Sequence, residues 1–223
     1  MIIGIDMDGC LVDFVGTALP RIKQLWGVDI AYEDLVEPRI EEMINKRLAF
    51  SVPGAALCTA LFQPGFFASM LPRAGAVEAL RVLVQQGHEL VIITKAHLPS
   101  GHIVSEKAEW LANHLRGIEY QTIVVGSGGT KDLINVDILV DDDPVNLEHP
   151  TAVSVCAVHP WNAHYLWRKD RKQPVHQLRS MAGLPRIIDF IIKCVPKGSA
   201  INLGAIDIWR ETGDKTNILA KDV

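Results

Sequence analysis

The chain is poor in the features that mark secreted, membrane or nucleic-acid-binding proteins. It has four cysteines in 223 residues, Cys10, Cys58, Cys156 and Cys194. They are widely scattered and no pair has zinc-ligand spacing, so reduced, packed thiols in a cytosolic protein are expected. No apolar stretch approaches membrane-spanning length. The start has no basic n-region, and its apolar run is broken by Asp6 and Asp8, so no signal peptide is expected. There is no excess of positive charge: 22 Lys and Arg against 26 Asp and Glu give a net charge of -4. That argues against a broad face for polymeric nucleic acid, although a few local cations suffice for a small phosphorylated substrate. No internal repeat or low-complexity stretch is present. A cytoplasmic protein without a membrane or polynucleotide partner is expected.

What is present is an ordinary globular composition, 48% hydrophobic and 22% charged, and an alternation of strand-like and helix-like segments. Strands are expected at Ile2–Asp6, Glu89–Thr94, Thr122–Val125, Ile138–Asp141 and Ala152–Ala157. Their short β-branched runs suit strands buried on both faces, and the alternation predicts a parallel sheet with helices on its faces. Helices are expected at Ala76–Gln86, ending at Gly87, and at Ser105–Leu115, ending near Gly117. About sixty residues, Phe14 to Leu71, interrupt the pattern. They read as helices over Gly16–Trp26 and Tyr32–Leu48, with another helical piece after Pro53-Gly54, and are too long for a connection. The expected organisation is a core of residues 1–13 and 72–195, a helical cap of 14–71 after the first strand, and an extension of 196–223. That extension follows a helix at Pro185–Cys194 and is expected on the surface or across a partner subunit, as in a homodimer.

The strand ends carry the chemistry. Ile2–Ile5 stops on Asp6-Met7-Asp8-Gly9, Glu89–Ile93 ends in Thr94, and Ile138–Val140 ends in Asp141-Asp142-Asp143. Alternate residues at a strand end face one spot, and the carboxyl edge of an open parallel sheet is where ligands bind. Lys131 lies just upstream of the acidic strand. Clustered carboxylates call for a cation, and oxygen ligands favour magnesium. One carboxylate can attack phosphorus and a second can move the proton, while Thr94 and Lys131 hold the phosphate oxygens. Gly9 permits a tight turn close to the phosphate. Lys107, on the helix before, also fits the chain order; Lys131 is favoured because it sits next to the acidic strand end. Gly126–Asp132, GSGGTKD, lacks the features of a nucleotide-binding P-loop and reads as a strand-to-helix turn that delivers Lys131.

With Asp6-Met7-Asp8-Gly9, Thr94, Lys131 and Asp141-Asp142 in that order, the chain resembles the haloacid-dehalogenase-like superfamily. DMDGCLVDF, PGFFASMLPRAGAVEAL, SEKAEWLANHL, DILVDDDPVN and HPWN are similar to the 5'(3')-deoxyribonucleotidases and their bacterial and phage relatives, over nearly everything to Asn162. The resemblance implies a Rossmann-like, doubly wound α/β core with a small helical cap after strand one. It implies Asp6 as nucleophile and Asp8 as general acid/base. Magnesium would be held by Asp6, the main-chain carbonyl of Asp8, and Asp142, with Asp141 supporting; Thr94 and Lys131 would bind phosphate. Two positions depart from the pattern. Lys95 stands where a small residue is usual, which reshapes the phosphate end of the pocket or adds a cation, and Asp143 stands where relatives often carry a basic residue.

Phe14 leaves strand one beside the acids and is a candidate for the substrate pocket, with Phe66 and Phe67. Aromatic faces stack on bases, although such residues also fill a cap's own core. His159, Trp161, His164, Tyr165 and Trp167 read as a loop beside the site mouth, and Lys169–Lys172 as a solvated charge run. The expected activity is a magnesium-dependent phosphomonoesterase acting on a nucleoside monophosphate. The alternatives are a phosphatase for another small phosphorylated metabolite, a receiver-like domain, and a non-catalytic relative, at which Lys95 hints.

Overall fold

The computed structural model describes residues 1–37, 39–49, 51–96, 101–126, 129–165 and 175–194. The extension 196–223, the run Lys169–Lys172 and Trp167 lie outside the described residues. Among the described residues six strands form one parallel sheet: β1 (Ile2–Asp6), β2 (Glu89–Ala96), β3 (Gln121–Gly126), β4 (Ile138–Asp141), β5 (Val153–Ala157) and β6 (Val175–Leu178). Their order is β3-β2-β1-β4-β5-β6. The helices are α1 (Phe14–Trp26), α2 (Ile40–Asn45), α3 (Gly54–Leu61), α4 (Ala76–Gln85), α5 (Gly101–His114) and α6 (Leu184–Cys194).

Period-two alternation sorts the strand residues into two layers. Ile92, Ile138 and Val140 belong to the main core with Ile3 and Ile5. Their neighbours Val91, Ile93 and Leu139 join a second cluster with Val136 and Ala152. A strand that feeds two cores is buried on both faces, which is why β4 reads as an apolar run, Ile138–Val140, up to Asp141. β3 departs from that expectation: Ile123 and Val124 are 36% and 38% exposed, because β3 is the sheet edge. β6 was not expected. Its four residues, Val-His-Gln-Leu, are too short and too polar to stand out.

The sixty-residue insertion is helical, but less continuously than expected. Residues 11–13 and 71–73 run beside each other at its base. Asp13 N–H donates to the Leu71 carbonyl at 2.9 Å and Arg73 N–H to Leu11 at 2.8 Å. The Asp13 side chain accepts from Gly16 N–H at 2.9 Å, starting α1 at Phe14, two residues before the expected start, and Gly27 ends α1 in the left-handed region. Tyr32–Leu48 is no single helix: a 3-10 turn at Tyr32–Asp34 precedes the short α2. The sequence Glu37-Pro38 accounts for the break, since a residue before proline avoids the helical region. Apolar residues of α1 and α3 join the same core as the strands.

Helix α5 braces the return of the insertion. Its buried residues, Ile103, Glu106, Lys107, Trp110 and Leu111, follow the i, i+3, i+4, i+7, i+8 spacing of one helix face. Glu106 accepts backbone N–H groups of Gly65 at 2.7 Å, Phe67 at 3.0 Å and Ala68 at 3.3 Å. Trp110 Nε1–H donates to the Met70 carbonyl at 2.7 Å. Phe66 and Phe67, expected as candidate pocket residues, are 1% and 4% exposed and belong to the core. Replacing Glu106 by Ala would leave three backbone donors without their acceptor, that of Phe67 buried, so a loss of about 1–3 kcal/mol is expected in urea denaturation, with Glu106→Gln recovering part of it.

Candidate active site

β1 is the point where the sheet's connections diverge, with β2 and β3 on one side and β4 to β6 on the other. Its carboxyl end is therefore the crevice of a doubly wound sheet. Asp6 is its last residue and pairs with Ile93, one residue before Thr94. Ile5 pairs with Val140, which puts Asp141 next to Asp6. After Asp6 the chain folds back sharply: Leu11 and Val12 N–H donate to the Met7 carbonyl at 2.9 and 3.0 Å. Gly9 has φ +77°, and a Cβ there would lie 2.6 Å from Asp142 Oδ2. Only glycine fits on both counts.

Two lysines divide the acids between them. Lys131, nearly fully buried, ion-pairs with Asp6 and lies 2.7 Å from Asp141 Oδ2. It arrives on a turn, with Gly129 N–H on the Gly126 carbonyl at 2.8 Å. That turn leads from β3 to β4 with no α-helix among the described residues, unlike the strand-to-helix turn expected. Lys107, the candidate ranked second from sequence, is equally central. Its Nζ ion-pairs with Asp8 Oδ2 and donates to Thr94 Oγ1 at 2.8 Å and to the Lys95 carbonyl at 2.9 Å. The same ammonium lies 4.8 Å from the centre of the Phe67 ring. Its signal in the sequence was a pair of charged residues, Glu106 and Lys107, on the helix face that also carries Ile103, Trp110 and Leu111.

The remaining predicted residues gather around this pair. Asp141 is fully buried and spent on structure, accepting from Lys131, Asn146 Nδ2 and the Asp143 N–H. Asp142 Oδ2 accepts the indole N–H of Trp161 at 3.2 Å. Lys95 reaches Asn146 Oδ1 at 3.2 Å and lies 3.6 Å from Asp143 Oδ2, so the two unusual residues neutralise each other. Over the acids opens a cleft of about 590 Å³. It is lined by Asp6, Asp8, Lys95, Lys131 and Asp142 from the sheet edge and its loops, and by the apolar Phe14, Leu35, Ile40 and Phe62 and the charged Glu37, Arg39 and Glu41 from the insertion. Phe14 lines the cleft as expected; in place of Phe66 and Phe67 it is Phe62 that does so, its centroid 6.0 Å from Phe14 in an edge-to-face pair.

The electrostatics point to a missing positive charge. Burial pushes the Asp6 pKa up to about 7; Lys131 opposes this, and Asp141 and Asp8 add to it. Burial, then Asp6 and Asp141, hold Asp142 well above the carboxylate range. Burial disfavours the Lys131 charge, yet Asp6 and Asp141 outweigh it and raise that pKa. His159 beside Gly9 is lowered to about 3 by burial and by the Arg73 guanidinium. One Asp8 oxygen, Oδ1, is buried without a hydrogen-bond partner. Ligand atoms of Asp6, Asp142 and Cys10 lie within 4.8 Å of one another. Two carboxylates with unneutralised charge fit a hard divalent cation such as magnesium; the thiol is the odd member of that set.

The cytosolic type C family of 5' nucleotidases, deoxy (pyrimidine), matches residues 1–183 of this chain. The chain belongs to that family. Relatives of the 5' nucleotidase family align with it over most of their length. A Staphylococcus epidermidis protein named "Putative 5'(3')-deoxyribonucleotidase" is 27% identical over 164 residues, covering 73% of this chain and 86% of that protein. A Bordetella pertussis protein of the same name is 29% identical over 148 residues, 65% and 75% of the two chains. The fold is shared with a phosphonoacetaldehyde hydrolase-like protein of Oleispira antarctica, at a TM-score of 0.54 and 15% identity over 89% of this chain and 95% of that one. It is also shared with CbbY of Rhodobacter sphaeroides, at 0.53 and 14% over 82% and 95%. As a member of the 5' nucleotidase family the chain is a phosphoric monoester hydrolase, which removes the receiver-like alternative. No helix among the described residues is long and apolar enough to cross a membrane.

A carboxyl group whose folded pKa is raised binds its proton more tightly in the native state than in the unfolded chain. Metal-free protein is therefore expected to lose stability as pH rises from about 4, the unfolded value, through about 7, the Asp6 value. A divalent cation competes with those protons, so its stabilisation should be larger at pH 8 than at pH 5.5. Melting temperatures with magnesium and with a chelator at both pH values check this; equal magnesium shifts at the two would refute it.

Proposed function

We propose that the protein is a magnesium-dependent phosphatase of nucleoside monophosphates that works through an aspartyl-phosphate on Asp6. The observation that carries this reading is the pairing of Asp6 and Asp8 with separate lysines at a cleft that the insertion lines with apolar and charged residues. Residues 1–13 and 72–195 serve as the core and 14–71 as a cap over the reacting end. Free cysteines support a cytoplasmic setting.

Asp6, at the end of a rigid strand, is the nucleophile toward phosphorus. Asp8 gives its proton to the leaving oxygen and later takes one from the attacking water. Its two oxygens suit that exchange: Oδ2 is anchored on Lys107, while Oδ1 has no partner to release. Thr94 and Lys107 form one hydrogen-bonded unit and supply donors to the phosphate oxygens as charge moves onto them. Lys131 holds Asp6 and Asp141 together and opposes the effect of burial on the nucleophile, favouring its ionised form. Asp6, Asp142 and the Asp8 main-chain carbonyl would hold the magnesium, with Asp141 fixed behind them by Lys131 and Asn146. When bound, magnesium offsets the repulsion between the acids and the incoming phosphate. Phe14 and Phe62 offer edges and faces to a base, and Glu37, Arg39 and Glu41 offer hydrogen bonds to its polar groups.

A panel of nucleoside monophosphates and sugar phosphates, assayed with magnesium, tests the substrate. Nucleotides should be cleaved best; poor nucleotide turnover beside good sugar-phosphate turnover would move the assignment to another small metabolite. Asp6→Asn is expected to abolish turnover and trapping of phosphate on the protein. Asp8→Asn should lower kcat about 10²–10⁴-fold, and Lys107→Ala about 10²–10³-fold. Lys131→Ala should differ in kind, losing about 3–5 kcal/mol of stability because two buried carboxylates lose their partner.

A further inference from the structure

The loop after β5 ties the inserted segment to the acids through three stacked and hydrogen-bonded side chains. His159 Nδ1 lies 2.6 Å from the hydroxyl of Tyr32, in the 3-10 turn of the insertion. Its Nε2 lies 2.8 Å from the Gly9 carbonyl oxygen, which also accepts from Arg73. The imidazole stacks on Trp161, with centroids 4.0 Å apart and planes 7° from parallel. Tyr32 meets both rings edge-on, each at 6.2 Å. Trp161 donates its indole N–H to Asp142 Oδ2 at 3.2 Å. Asn162 closes the loop, accepting the His159 N–H at 2.8 Å and donating to the Asp142 carbonyl at 2.8 Å.

Rigid rings pass on position without losing it. The indole cannot turn away from Asp142 without breaking its stack on His159. The imidazole cannot tilt without giving up the Tyr32 hydroxyl or the Gly9 carbonyl. Tyr32 belongs to the insertion, and the other groups belong to the core side of the cleft. We infer that Trp161, His159 and Tyr32 are positioning residues that fix the Asp142 carboxylate for magnesium, and that this fixing requires the inserted segment to be seated on the core. The inference rests on the proposal that Asp142 holds magnesium. It adds that a cap residue far from the acids in sequence tunes the affinity for that ion.

The test is a magnesium titration of the full chain without substrate, followed by melting temperature. Trp161→Phe keeps a ring for the stack and removes the donor to Asp142. Tyr32→Phe keeps its ring and removes the hydroxyl at His159. Trp161→Phe is expected to weaken the magnesium midpoint about tenfold, as loss of a group that orients a metal ligand does. Tyr32→Phe should weaken it about threefold, the worth of one neutral hydrogen bond. The double variant should be no worse than Trp161→Phe alone, since both act through one chain of contacts. Both single variants should regain wild-type kcat at saturating magnesium, which a loss of folded structure would not allow. Wild-type midpoints in both, at unchanged metal-free melting temperature, would overturn the inference and leave the phosphatase reading standing. A wild-type protein with no magnesium shift that Asp142→Asn removes would overturn the metal assignment, and this inference with it.

Discussion

Everything at the carboxyl edge of the sheet follows from one imbalance. Four carboxylates, Asp6, Asp8, Asp141 and Asp142, share a partly buried space with two ammonium groups, Lys107 and Lys131. Fully ionised, that set is two charges short of neutral, and burial makes the shortfall costly. Asp6 and Asp142 answer by holding protons more tightly. A divalent cation at the site would answer the same need with a lower pKa. The core on either side of the sheet supplies the rigidity that keeps such a cluster from relaxing apart.

The topology explains how so few residues converge. The acids stand at or just beyond the ends of β1 and β4, and Thr94 two residues inside the end of β2; the parallel pairing aligns them: Asp6 with Ile93, and Ile5 with Val140. This is why Asp6, Asp8, Thr94, Asp141 and Asp142 were legible in the sequence. A β-branched run that stops on a polar residue is a local pattern, and neighbouring strands turn a set of local patterns into one place. Lys107 was harder to read. It sits in the middle of a helix, where a lysine is usually solvated, and only the burial of Ile103, Glu106, Trp110 and Leu111 on the same face reveals its direction.

The aromatic residues show the opposite limit. Phe14, Phe62, Phe66 and Phe67 all touch one another at centroid distances between 5.1 and 6.0 Å, except that Phe14 and Phe67 are not paired. Within such a cluster, which ring reaches the cleft depends on rotations of short helices that no periodicity encodes. The Glu106 carboxylate settles it here by clamping the turn at 65–68, which drives Phe66 and Phe67 inward and leaves Phe62 at the wall. β6 escaped notice for a related reason: at a sheet edge a four-residue strand needs only one neighbour, so it carries little hydrophobic signature.

The two lysines divide the work by how firmly each is held. Lys131 is enclosed between Asp6 and the fully buried Asp141, and leaving would strand two buried acids without their cation. It therefore acts as fixed positive charge, and its worth is in keeping the nucleophile in place. Lys107 is buried as deeply, but its carboxylate partner Asp8 is 32% exposed and its other contacts are a hydroxyl and a carbonyl. Hydrogen bonds to neutral oxygens are weaker than those to a charged one. In the proposed reaction an arriving phosphate oxygen would compete with those neutral acceptors on favourable terms, while the grip on Asp8 would keep the ammonium at the acid assigned to move the proton. In the proposed reaction the same cation would serve the phosphate and the general acid at once, so the residue that was hardest to find by pattern is the one that touches both Asp8 and Thr94.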